Sequence, residues 1–165
     1  MTSPTLATLC RNPVQLLAFG FGSGLSPKAP GTVGSAVAVV FYLPLALLPL
    51  IPYTVMVLLC LLLGVWLCGE ASRQLGVHDH GGIVWDEFVG LWITLWAVPS
   101  GWQWIVAGFL LFRLFDIVKP WPISWLDRSV DGGLGIMIDD VVAGLCAGLI
   151  LQFTAWVLGS SLWLA

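Results

Sequence analysis

The chain is poor in charge: only 9% of its 165 residues are Asp, Glu, Lys or Arg, where soluble domains average about a quarter. With 59% hydrophobic residues and a mean hydropathy of +0.98, the ordinary soluble class is excluded and an integral membrane protein is expected. Six basic residues and a net charge of -3 give no reason to expect a nucleic-acid partner. Cys10, Cys60, Cys68 and Cys146 form no CxxC pair, which removes the usual redox and zinc spacings and leaves free thiols. The early residues lack the small-residue pattern of a cleaved signal, and the short apolar stretch Val14 to Phe21 reads as an interfacial or half-buried helix.

The uncharged runs set the architecture. From Ala29 to Gly69 there is no charged residue over 41 positions, too many for one span, and Pro44, Pro49 and Pro52 interrupt the run. A helical hairpin of Val33 to Pro49 and Tyr53 to Gly69 is expected. A second uncharged run, Phe88 to Phe112, breaks at Pro99, Ser100 and Gly101 and predicts helices over Ile83 to Val98 and Trp102 to Val118. Val141 to Ala165 is long enough to span alone. The expectation is an all-α polytopic bundle forming one domain, with about five spans and a short N-terminal interfacial helix. Five spans place all six basic residues on one side, which should be cytoplasmic. A competing topology makes Phe88 to Phe112 one kinked span and divides the basic residues between the two faces. Ala143, Gly144, Ala147 and Gly148 form a small-residue stripe that suits close helix packing.

Charge, where present, is crowded. Eight of the nine acidic residues fall between Asp79 and Glu87 or between Asp116 and Asp140. Asp86 and Glu87 stand at the start of a membrane helix, with His78, Asp79 and His80 just before them. One acid in a first turn complements the helix dipole, but two neighbours project about 100° apart, so one should face the bundle interior. An ionisable group there is costly without a role. Arg113, Asp116 and Lys119 recur every three residues along one helical face until Pro120. Asp139 and Asp140 are expected to open the last span; Asp127 is assigned to solvent and Asp131 to a turn.

Oxygen-rich sites of this kind suit Mg²⁺, and the set Asp79, Asp86, Glu87, Asp116, Asp139 and Asp140 is its candidate shell. Among these, Asp86, Glu87 and Asp116 are candidate catalytic groups, with His80 as a proton-transfer group. Arg113 and Lys119 are candidate phosphate binders. The Gly-rich stretch with Lys28 and Thr32 is not a Walker loop, and its residues read either as a phosphate cradle or as a packing turn. No Cys-x5-Arg loop or Asp-x-Asp pair offers a covalent route, leaving a metal-activated water. "DGGLG" fails the pattern of a lipid headgroup transferase. A small ion or metal transporter with intramembrane carboxylates is the alternative class.

The stretches "SGLSPKAPGTVGS", "HDHGGIVWDEFVG", "FRLFDIVKPWPI" and "GIMIDDVVAGL", in this order from about Asn12 to Gly148, resemble the phosphatidylglycerophosphatase A family. The resemblance implies a helical bundle in the bacterial inner membrane with its site facing the cytoplasm. It also implies Mg²⁺-dependent removal of the terminal phosphate from phosphatidylglycerophosphate.

Overall fold

A computed structural model describes residues 4–77 and 80–159. Among them the chain is entirely helical: α1 (Leu6–Leu9), α2 (Pro13–Ala18), a 3₁₀ segment (Gly20–Leu25), α3 (Pro30–Leu45), α4 (Leu50–Leu75), α5 (Trp85–Thr94), α6 (Trp102–Val118), α7 (Ile123–Ser129) and α8 (Gly132–Val157). The N-terminal stretch is thus two short helical pieces. Pro44 and Pro52 lie inside the ends of α3 and α4, with the turn between them at 46–49.

Two of the described helices, α4 and α8, are long and apolar enough to cross a membrane, each with 26 residues. The others are shorter than the roughly 20 residues of a full span, although α6 keeps its expected bounds. Most notably, α5 has ten residues, about 15 Å of helix against roughly 30 Å of hydrocarbon. It was expected to run from Ile83 to Val98.

The packing explains that short helix. Seven of its ten residues are buried, and α3, α4, α6 and α8 surround it. Beyond its acidic first turn the helix is almost wholly apolar, and so short a stretch is stabilised as a core element. Carbonyls at its end and in the turn beyond it would be orphaned in apolar surroundings, but side chains reach them. Tyr53 donates its hydroxyl to the Trp92 carbonyl at 2.7 Å, and Gln152 donates its amide to the Trp96 carbonyl at 2.7 Å. The chain then turns through Ala97 and Gly101, both at positive φ, and returns as α6.

Glu87 at the start of α5 and Arg113 near the end of α6 lie 3.8 Å apart, so these two helices run antiparallel. That geometry removes the single kinked span. The small-residue stripe on α8 meets α5 backbone to backbone: a Cβ on Gly144 would sit 2.4 Å from the Gly90 carbonyl oxygen. Such close approach suits helices packed in an apolar surrounding.

The last helix corrects a second expectation. It begins at Gly132 behind Asp131, so Asp139 and Asp140 lie roughly two turns inside α8 instead of opening it. Both are buried. The glycines at 132, 133 and 135 do not stop the helix because its inner face is packed. Gly133 in particular abuts α4, where an added Cβ would be 1.9 Å from the Val65 carbonyl.

Candidate active site

Four helices bring their polar residues to one end of the bundle. Here a cavity of about 320 Å³ is lined by Asp86 and Glu87 from α5, Asp116 from α6, Lys119 just beyond it, Asp127 from α7 and Asp139 and Asp140 from α8. Six carboxylates and one ammonium therefore face the same space. Charges so placed repel one another, and the fold must either pair them or leave them for a cation.

Some are paired. Arg113 forms an ion pair with Asp116, approaches Glu87 at 3.8 Å, and donates from Nη1 to the Ser35 hydroxyl at 3.4 Å. Its side chain stands behind the carboxylates and does not line the cavity. Lys119 donates from Nζ to Asp127 Oδ1 at 2.6 Å and to Asp139 Oδ2 at 2.7 Å. Partial burial alone would lower its pKa, but the hydrogen bonds to the two carboxylates outweigh that and raise it. Lys119 is thus held as a cation.

Others are not paired by the protein. Oδ1 of Asp86, Oε2 of Glu87 and Oδ2 of Asp140 are buried without a hydrogen-bond partner. Asp86, Glu87 and Asp140 each offer one carboxylate oxygen, and these atoms lie within 4.8 Å of one another. Orphaned carboxylate oxygens are expensive in an apolar bundle, and a hard divalent cation with oxygen preference answers that cost. The donor set fits such an ion.

The remaining expected residues lie elsewhere. Lys28 is exposed in the loop before α3, and neither it nor Thr32 lines the cavity. His80 accepts the Gly82 amide at Nδ1 (3.0 Å) and packs its ring on Phe19, so it shapes the loop ahead of α5 and does not line the cavity. Asp79, an expected metal ligand, lies outside the described residues, as does His78.

The Gly-rich stretch acts through packing. Gly24 lies where an added Cβ would be 1.9 Å from the Gly82 carbonyl, and Val84 donates its amide to the Ala18 carbonyl at 2.8 Å. Gly31 and Ser35, on the first turns of α3, rest against Glu87 and Arg113. Asp127 is exposed, as expected, but sequence reasoning missed that it also reaches Lys119 at the rim of the cavity. Its signal was the spacing of eight residues from Lys119 across Pro120 and Pro122, which folds α7 back toward the end of α6.

Fold and site together define an all-helical protein of membrane character with a carboxylate centre fitted for a divalent cation. Comparison with known proteins gives the family. The family model described as "Phosphatidylglycerophosphatase A" matches residues 16–155. The chain is 55% identical to phosphatidylglycerophosphatase A of Escherichia coli over 90% of its length and 88% of that protein. It is 51% identical to the Haemophilus influenzae protein of the same name, over 85% of this chain and 87% of the relative. A Bacteroides thetaiotaomicron relative, 40% identical over 87% of this chain and 94% of its own, has a name pointing instead to phosphatidylinositol-3-phosphatase activity. No solved structure matches. The chain belongs to the phosphatidylglycerophosphatase A family and is a phosphatase.

Proposed function

We propose that this protein hydrolyses the terminal phosphate of phosphatidylglycerophosphate, giving phosphatidylglycerol and inorganic phosphate, with Mg²⁺ as cofactor. The observation that carries the reading is the convergence of three carboxylates, Asp86, Glu87 and Asp140, each with an unpartnered oxygen, in the cavity that Lys119 also lines. A transporter is not favoured, because the named relatives are phosphatases.

In this reading Asp86, Glu87 and Asp140 hold the cation. Bound there, it would supply Lewis acidity toward the phosphoryl oxygens and lower the pKa of a neighbouring water. Arg113 fixes Asp116 and steadies Glu87 from behind, so its role is positioning more than substrate contact. Lys119 takes the phosphate by charge-assisted hydrogen bonds, which are about twice as strong as neutral ones. Water attacks phosphorus as the bond to the glycerol oxygen breaks. The water's proton passes to a lining carboxylate, for which Asp116 is placed outside the three-oxygen cluster, and that carboxyl returns a proton to the glycerol oxygen as it leaves.

For the membrane, the reading extends α4 and α8 to a multi-pass arrangement in the bacterial inner membrane, with the polar end of the bundle toward the cytoplasm. What supports it is the gathering of Arg113, Lys119 and the acidic residues at one end of the bundle. The substrate's acyl chains would then stay in the inner leaflet while its headgroup enters.

Purified protein in detergent should release phosphate from phosphatidylglycerophosphate with Mg²⁺ and lose that activity with chelator. Asp86→Asn should reduce the rate by more than about 100-fold and abolish the Mg²⁺-dependent rise in unfolding temperature. Release that survives chelator, or a variant that keeps both properties, rejects the metal assignment. Faster release from phosphatidylinositol 3-phosphate would move the substrate to that lipid class.

A further inference from the structure

Lys119 is the only ammonium among the described residues lining the cavity, and two carboxylates already share it. Its two partners are unequal. Asp139 sits on the long helix α8 with a side chain 8% exposed, whereas Asp127, 33% exposed, sits on the seven-residue α7 at the rim. The ammonium has a third N–H to offer, but an incoming anion must share its charge with these two carboxylates or displace one of them. The Asp127 contact yields first, because its carboxylate is readily rehydrated while that of Asp139 is not.

We propose that Asp127 is an affinity-setting residue that competes with the substrate's phosphate for Lys119, so that an anion binds there against a carboxylate. The inference rests on the phosphatase reading of this cavity and goes beyond it. The penalty is the same for any anion that uses Lys119, and what it sets is a threshold. A phosphate monoester carries about -1.5 to -2 at neutral pH and clears that threshold. A phosphodiester carries a single charge and gains less from the exchange. Bilayer phospholipids present diesters in abundance, and the lipid product of the proposed reaction keeps only a diester. Asp127 thus keeps Lys119 from being occupied by lipids that cannot react, and favours release of the lipid product.

Position supports the same role. Trp121 and Trp125 on either side of the start of α7 are 81% and 59% exposed, the amphipathic side chains expected at a lipid interface. Asp127 follows on that short helix, so the carboxylate to be displaced stands where a headgroup would arrive from the bilayer surface.

The test uses Asp127→Asn and Asp127→Ala in the full-length protein with Mg²⁺, in mixed micelles. Both should fold, since the side chain is one-third exposed. Relative to the unsubstituted protein, the KM for phosphatidylglycerophosphate and the inhibition constants of inorganic phosphate and phosphatidylglycerol should each fall, by roughly fivefold. The rate at saturation should not rise. If Asp127 served only to orient Lys119, its loss would raise KM. A raised or unchanged KM in either folded variant, with the unsubstituted protein active, overturns this inference alone. No phosphate release by the unsubstituted protein overturns the phosphatase reading instead.

Discussion

Gly31 offers a way to move one carboxylate of the site without touching any of its side chains. It is the second residue of α3, and an added Cβ would lie 2.2 Å from Glu87 Oε1 and 3.1 Å from Arg113 Nη1. Ordinary contact begins at 3.4 Å, so Gly31→Ala requires the Glu87 carboxylate to retreat by about 3.4 - 2.2 = 1.2 Å. The atom in the way is the end of a flexible side chain, so the backbone need not yield. A displacement of about 1 Å in a reacting constellation costs on the order of 100-fold in rate, or about 2.7 kcal/mol of transition-state stabilisation. Replacing Gly by Ala within a helix should at the same time stabilise the fold by up to about 1 kcal/mol.

The expected result is therefore a split. Phosphate release at saturating phosphatidylglycerophosphate should fall by about two orders of magnitude. The unfolding midpoint in detergent should hold or rise, while the Mg²⁺ concentration needed to shift it should increase. A rate within about threefold of the unsubstituted protein, with the same Mg²⁺ response, would show that the position of Glu87 is not set by α3 and would refute this reasoning.

Two further outcomes follow from the packing. Gly144→Ala would bring a Cβ within 2.4 Å of the Gly90 carbonyl oxygen, where backbone must move; it should cost roughly 1–3 kcal/mol and lower the unfolding midpoint, and an unchanged midpoint would contradict the close α5 to α8 contact. Lys28→Ala should leave KM within about twofold, since Lys28 is exposed and away from the cavity lining; a large rise in KM would restore the phosphate-cradle reading of the Gly-rich stretch.

Much of the fold was legible because it rests on features a sequence states outright. Uncharged runs broken by proline predicted helices at α3 and α4 with a turn between them, although the two pack on α5 and not along each other as a hairpin would, and α6 falls on Trp102 to Val118 as expected. Boundaries went wrong where tertiary contacts override local pattern. The apolar residues Leu95 to Val98 read as helix, but the chain turns there because Tyr53 and Gln152 supply the capping that a helix end lacks by itself. Likewise Asp131 and its glycines read as a loop, whereas Gly133 lets α8 extend by pressing against α4.

The acidic site shows the same division. That Asp86, Glu87, Asp116 and the Asp139 and Asp140 pair converge could be read from charge crowding at helix ends. Which of them remain available could not, because pairing depends on where the cations land. Arg113 and Lys119 are six residues apart in one pattern by sequence, yet the first turns inward to Asp116, Glu87 and Ser35 while the second spans the gap from α7 to α8. This division of the two cations leaves Asp86, Glu87 and Asp140 each with an unpartnered oxygen. A basic residue nearer to those three atoms would neutralise the centre and remove its need for a metal. By that reasoning, the placement of Arg113 behind the carboxylates and of Lys119 beside them matters as much to the chemistry as the carboxylates themselves.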